Sequence, residues 1–379
     1  RRQLQMCIRV RVYAGIVFSE HSRNADRVYD DFYAETNFAD LMATSYDIEH
    51  KDNLTSACSS IEHNSCETSL ILTGQSKTNT DWIASKFYGI EQGQVNTLWN
   101  VDGSVTPSDG EIVIDAHFAL NDEINMKLGD TIDIIVGEGG VQTFTVIGFA
   151  NSPLELFYAN PDSILPQESS YVVAYMDAEV LADISGNEPL ARNTLNIDLE
   201  GTPAFDLSDT DENEGVELQA TKDTLTDAMN ESGADGYVLD RGQLSAELLR
   251  LDKDSLSNSI PFILGILLFI SGLVIAVSLD RLIRTQSREI AVLRTIGAST
   301  SDVMTGYLLV PLVLGVPGVL LGILLGTSSI GSGAFTAFYF SFLGIPVVVT
   351  HHYADIIAII SLSAPVSYTH LRAHETTPH

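Results

Sequence analysis

Two stretches without charge limit what this chain can fold into. Residues 260–279, IPFILGILLFISGLVIAVSL, hold 14 Ile, Leu, Val or Phe and no Asp, Glu, Lys or Arg, and residues 303–350 carry no such charge either. A helix crosses a bilayer with about 20 apolar residues, whereas a buried core helix needs only ~10–14. At roughly −0.3 to −0.6 kcal/mol for each Ile, Leu, Val or Phe, insertion of the first stretch outweighs its few Gly, Ser and Pro. The chain therefore reads as a membrane protein. Arg281, Arg284, Arg288 and Arg294 lie between the two stretches, and the positive-inside bias puts that connection in the cytoplasm. The helix at 260–279 then runs from outside to inside, and the residues before it face out.

Those outward residues are acidic. The chain has 50 Asp plus Glu against 20 Lys plus Arg, a formal net charge of −30, and most of the acid falls between Arg23 and Lys253. Such a surface repels nucleic acid and anionic headgroups, so DNA or RNA binding is excluded as a function. With only six lysines, it suits a domain solvated in high salt, where screening removes self-repulsion; a cation-binding surface is the alternative. Cys58 and Cys66, in ACSSIEHNSCE, are candidates for a disulfide in an oxidising compartment, with two free thiols as the other reading.

The termini fit nothing else in the chain. RRQLQMCIRVR (1–11) and VSYTHLRAHETTPH (366–379) resemble translated adaptor or vector flanks and are set aside from fold reasoning. Residues 12–22 read as the outer end of a truncated first membrane helix, and a truncated last helix starts from about 353. Between 23 and 258 the pattern mixes strands and helices. EIVIDAHFAL (111–120) begins as a strand, GDTIDIIVGEGGVQTFTVIGFA (129–150) is a hairpin turning at Gly137–Gly140, and SSYVVAYMD (169–177) and TLNIDLE (194–200) are further strands. Residues 217–233 and 241–259 read as helices, the latter leading into the membrane. The expected fold is an α-helical membrane protein with a large α+β extracytoplasmic domain inserted between its first and second membrane helices.

Chemistry-bearing motifs are scarce. The chain has no G-x-x-x-x-G-K-[ST] phosphate loop, no H-E-x-x-H, no C-x-x-C and no G-x-S-x-G. DTDENEG (209–215) places its glycine at position 7 rather than 6, and Ala220 stands where a calcium loop needs its bidentate Glu. His50, His63 and His117 are scattered, and His351-His352 sits at the end of the apolar run, at an outer interface. No catalytic residue, no metal and no cofactor is therefore assigned to this chain.

The arginine connection is patterned instead. Arg281, Arg284 and Arg288 recur at spacings of three and four, which puts them on one helix face. Ile290, Leu293 and Ile296 follow as an apolar stripe, Gly297 suits the left-handed residue that ends a helix, and Ser299 with Asp302 forms a capping-box start for the next one. Beyond it, Gly318, Gly322 and Gly326 repeat at four, a face for close helix packing over a helix at about 304–328. Pro311 and Pro317 should kink that helix. Residues 331–350 read as a buried or interfacial outer segment.

SREIAVLRTIGASTSDVMTGYLLVPLVLGVPGVLLGILLG (287–326) resembles the membrane signature of FtsX-like and MacB-like ABC transporter permeases, the superfamily that includes the LolC/LolE lipoprotein-releasing type. Arg288, Glu289, Leu293, Arg294, Ile296, Gly297 and Ala298 carry the resemblance; TNFAD (36–40), EIVIDAHFA (111–119) and LGDTIDI…FTVIGFANSP (128–153) extend it. The resemblance implies four membrane helices, a FtsX-like permease domain at 259–365, a MacB-like core domain outside, and a coupling helix in 280–302 seated on a separate ABC ATP-binding subunit. It also implies a second permease copy, as homo- or heterodimer, an extracytoplasmic substrate or adaptor protein as further partner, and ATP with Mg on the partner subunit. The expected function is that of a plasma-membrane permease for a lipoprotein, lipid, peptide or drug-like substrate. An alternative is an FtsX-type regulator that transports nothing and activates an extracellular cell-wall enzyme. One departure stands out: many members carry a Glu near the start of the third helix, where this chain has Pro311.

Overall fold

A computed structural model of the chain describes residues 2–78, 81–91, 93–158, 169–201, 216–240, 244–341, 343–345, 347, 349–354 and 356–359. The acidic stretch at 209–215 and the tail at 366–379 lie outside them. In chain order the elements are α1 (Arg2–Glu35), β1 (Leu41–His50), α2 (Lys51–Cys58), β2 (His63–Lys77), β3 (Trp82–Ile90), β4 (Trp99–Gly103), β5 (Glu111–Asp115) and α3 (Ala116–Ala119). Then come β6 (Thr131–Val136), β7 (Gln142–Asn151), a 3-10 turn (Pro153–Glu155), β8 (Val172–Asp177), α4 (Ala178–Ile184), β9 (Ala191–Leu199), α5 (Val216–Ser232) and β10 (Gly236–Leu239). The apolar part follows as α6 (Leu244–Thr285), α7 (Ser287–Thr295), α8 (Thr300–Gly326), a π-turn (Ser329–Gly333) and α9 (Ala334–Phe340). Two compact units result, one of Arg1–Ala25, Asp252–Tyr339 and Val347–His379, the other of Asp26–Leu251 and Phe340–Pro346.

In the second unit the strand pairings close on themselves. β2 pairs β3, β3 pairs β8 in parallel, β8 pairs β5, β5 pairs β7 in parallel, β7 pairs β6, and β6 returns to β2. This ring is a six-stranded barrel with no free edge inside it. Along β6 and the start of β7 alternate residues are buried, Ile132, Ile134, Phe144 and Val146 joining the apolar cluster, the period of two of a half-covered strand. β5 and β8 are covered on both faces, with Ile112, Val113, Ile114, Val172, Val173 and Ala174 all buried in the same cluster.

β2 is long enough to serve two sheets. Its first half, from His63 to Ser69, pairs β9, which continues to β1 and β10 as an open antiparallel layer. α2 and α5 cover this layer through Leu54, Ala57, Leu225 and Met229, packed on Leu41, Ala43, Leu195 and Ile197. Cys58, at the end of α2, is bonded to Cys66 on β2 with their Cα atoms 6.2 Å apart.

The TNFAD stretch is a fastener. Asn37 and Asn96 both adopt positive φ, 46° and 52°. Asn96 donates its amide to the Asn37 carbonyl (2.9 Å), and its Oδ1 accepts from the Ala39 amide (2.9 Å). Asp40 Oδ2 accepts from the Leu199 amide at 2.8 Å. Asx side chains that replace backbone partners are what let this bend form.

The first unit is helical. Val12 and Ile16 of α1 pack with Val319 and Ile323 of α8 and with Ile356 and Ile359. Asn24 Oδ1 accepts from the Thr350 amide (2.8 Å), and fully buried Glu20 contacts His351 Nδ1 at 3.0 Å. α6 runs unbroken past Pro261, and its Leu244–Val274 part is long and apolar enough to cross a membrane. Gly315–Gly326 and Ser329–Phe340 pass the same test only as a pair bent by 48°. α8 stays helical through Pro311 and Pro317. The bend falls after Gly326, where the Ser328 side chain accepts from the Gly331 amide and starts a new turn.

Candidate functional site

The arginine connection is two helix ends joined by a stiff turn. Thr285 Oγ1 donates to the Arg281 carbonyl at 2.9 Å, and Gln286 leaves helical geometry at φ −104°, ψ 11°. A side chain that competes for a backbone acceptor favours such a break. Arg281 and Arg284 therefore close α6 while Arg288 opens α7, so the single face of three arginines expected from the spacing is divided between two helices. Arg284 is held by Asp280 at 2.8 Å.

α7 is short and sharply stopped. The Gly297 amide donates to the Arg294 carbonyl (3.2 Å) and the Ala298 amide to the Leu293 carbonyl (3.1 Å), the paired bonds of a Schellman end. Gly297 sits at φ +102° with open space around it, so the requirement is conformational and not steric. Ser299 then begins α8 with both halves of a capping box: Ser299 Oγ accepts from the Asp302 amide (3.1 Å), and the Ser299 amide donates to Asp302 Oδ2 (3.2 Å). The Ser299 hydroxyl also donates to Asp302 Oδ2 at 2.6 Å, and that bond, then the one from the Ser299 amide, holds the Asp302 carboxyl below its ordinary value. Glu289 lies in the first turn of α7 and Arg294 in the last, each matching the sign of the helix dipole there.

The surface of this elbow is bare. α7 buries none of its residues, and Leu293 and Ile296 are 43% and 76% exposed, with Val292 beside them at 56%. Arg288, Glu289, Arg294 and Ala298 flank that apolar strip. The elbow thus presents an exposed apolar strip between charged residues.

Gly318, Gly322 and Gly326 are all buried on α8. A Cβ at Gly322 would stand 2.8 Å from Val12 Cβ and 3.0 Å from the Arg9 carbonyl, and one at Gly326 would stand 3.0 Å from Ile16 Cβ. The glycine face is where α1 lies against α8.

The histidines have local roles. His50 caps α2, accepting from the Asp52 amide, and the His63 ring contacts the Ile61 carbonyl at 3.0 Å. Among the described residues no group of three or more His, Cys, Asp or Glu is arranged to hold a metal. His117 belongs to a buried polar cluster that no spacing in the sequence announced. Asp115 Oδ1 meets His117 Nδ1 at 2.7 Å, and Asp115 Oδ2 accepts from the Tyr175 hydroxyl at 3.0 Å. Glu155 accepts from Lys86 Nζ at 2.7 Å and from the Tyr88 hydroxyl. Burial first, then the nearby Glu155 and Asp115 carboxylates, pushes Tyr88 and Tyr175 well above the ordinary tyrosine range. Burial opposes the Lys86 charge, yet Glu155 outweighs it and raises the lysine. The members come from three strands, α3 and a turn, so only Asp115-x-His117 and Lys86-x-Tyr88 are local in the sequence.

Residues 261–367 match the FtsX-like permease C-terminal family. No curated protein sequence matches the chain. Among solved structures, the extracellular domain of the noncanonic ABC-type transporter YknZ from Gram-positive bacteria is similar at 14% identity and a TM-score of 0.34, over 53% of this chain and 99% of that one. The periplasmic region of MacB from Actinobacillus actinomycetemcomitans is similar at 11% identity and a TM-score of 0.35, over 61% of this chain and 95% of that one. The family match takes in the second half of α6, the elbow and all of α8.

Proposed function

We propose that this chain is the permease subunit of an ABC transporter, set in the plasma membrane by several helices, with the barrel domain outside. A separate ATP-binding subunit hydrolyses ATP and grips α7, and a second permease copy completes the complex. The motion drives export or extraction of a lipoprotein, lipid, peptide or drug-like molecule. The observation that carries this reading is the elbow: a helix that buries nothing of its own, stopped by a Schellman end and followed by a capping box, with Leu293 and Ile296 exposed between Arg288 and Arg294. Two satisfied helix ends make the turn stiff, and a stiff element transmits displacement where a slack loop absorbs it. The exposed Phe262, Phe269 and Leu273 of α6, and Val313, Leu320 and Leu324 of α8, support lipid contact.

The test is a photo-crosslink in native membranes. p-Benzoylphenylalanine placed at Ile296 should capture a polypeptide that carries a phosphate-binding G-x-x-x-x-G-K-[ST] loop, identified by mass spectrometry, and Arg294→Glu should abolish the adduct. Capture of a protein without any nucleotide-binding motif, or equal capture from exposed Val141, would overturn the docking role.

A further inference from the structure

Glu20 is fully buried in α1, within the stretch 12–22 that reads as the outer end of a membrane helix. A carboxylate there is costly unless something meets its charge, and an ionisable residue in such a place is a candidate for function. Its partner is His351, whose Nδ1 stands 3.0 and 3.2 Å from the two carboxyl oxygens. Among the described residues no other group bonds the Glu20 side chain. The His351 side chain is 37% exposed, so the pair joins a sealed carboxyl to an imidazole that reaches solvent.

The segment carrying His351 is also fastened one turn further along α1. Asn24 Oδ1 accepts from the Thr350 amide (2.8 Å) and the Thr350 hydroxyl (3.0 Å), and Asn24 Nδ2 donates to the Thr350 carbonyl at 3.2 Å. Those bonds join neutral groups. Thr350 and His351 thus form a strap laid on α1, held by one neutral fastening and one that depends on a proton. The other titratable groups around it have different partners or face out. His21 Nδ1 contacts Thr336 Oγ1 at 3.2 Å, and its ring lies edge-on to Phe335 and Tyr339. His352 Nε2 contacts Thr350 Oγ1 at 3.4 Å, the Tyr339 hydroxyl donates to Asp252, and Arg23 is exposed. On α6, Lys253 is buried one turn before Ser257, which meets Ser22 at 2.8 Å.

We propose that Glu20 and His351 form a proton-binding site that latches this strap to α1. With a proton on the pair, Glu20 is either a neutral acid or the partner of an imidazolium, and its burial is stable. When that proton leaves, an uncompensated carboxylate remains in a sealed place, and the strap lifts to let water reach it. The latch is therefore closed at lower pH and opens as pH rises. It acts whether or not the chain works with an ATP-binding subunit.

Amide hydrogen exchange on the full chain in lipid nanodiscs, read by mass spectrometry in a peptide containing Thr350, tests this. The Thr350 amide is donated to Asn24, so its protection, corrected for the intrinsic pH dependence of exchange, reports the strap. Protection in the parent chain should fall at least about tenfold from about pH 5.5 to about pH 9, a span that contains the ordinary imidazole range. Glu20→Gln keeps the shape of the side chain with no proton to lose, so its protection should stay level over that span. His351→Gln changes a solvent-reaching side chain and carries the test if Glu20→Gln does not fold. It leaves Glu20 without a cation, and protection at about pH 7 should be severalfold below the parent's. A level parent profile, a Glu20→Gln profile that falls like the parent's, or His351→Gln protection equal to the parent's would overturn the latch.

Discussion

At the scale of the residue, the decisive cases are groups whose meaning comes from one neighbour. Glu155 is only 8% exposed and would be an unaffordable charge alone, yet Lys86 and Tyr88 both reach it. Tyr88→Phe removes one donor and leaves the ion pair, so a loss of about 1–2 kcal/mol is expected. The sign with pH follows from the raised tyrosines. Their folded pKa lies above the ordinary value of 10, so the stabilisation is complete below about pH 10 and is lost as pH rises, because the unfolded chain ionises first. Urea unfolding followed by tryptophan fluorescence between neutral pH and pH 11 should show that decline, with a shallower slope in Tyr88→Phe. A flat profile in the parent chain would mean the cluster does not bury its phenols.

At the scale of the element, the elbow is where sequence and structure agree most closely. Gly297, Ser299 and Asp302 were legible because helix ends are local: each orphan backbone group is satisfied within a few residues. The division of the arginines between α6 and α7 was not legible, since a break at Gln286 carries no proline or glycine to mark it. Gly297→Val forces a branched side chain into positive φ at a cost of about 1–2 kcal/mol, enough to unlatch the Schellman bonds. The photo-crosslink yield from Ile296 should fall severalfold in Gly297→Val, with helix content by circular dichroism unchanged. An undiminished yield would show that the stiffness of the turn is irrelevant to docking. Strands divide along the same line. The β6–β7 hairpin shows clean alternation and a glycine-rich turn, whereas β2 mixes polar and apolar residues because two different layers share it.

At the scale of the whole molecule, charge dominates. A net charge of −30 makes the folded chain repel itself, and salt shortens the range of that repulsion from about 30 Å at 0.01 M to about 3 Å at 1 M. The unfolding temperature should therefore rise steadily with NaCl in a thermal melt of the solubilised chain. A falling midpoint would mean that salt weakens more attraction, at pairs such as Lys77–Asp133, than repulsion.

The sequence alone determined the apolar helices, the acidity of the rest, the α+β character of the large domain and the capped turn between α7 and α8, because length, charge and helix capping are properties of short contiguous stretches. Only the tertiary structure decided that the strands close into a six-stranded barrel, that Gly322 and Gly326 face Val12 and Ile16, and that Lys86, Tyr88, Asp115, Glu155 and Tyr175 meet. Those are contacts between residues dozens to hundreds of positions apart, chosen by which faces bury together. No local preference encodes that choice.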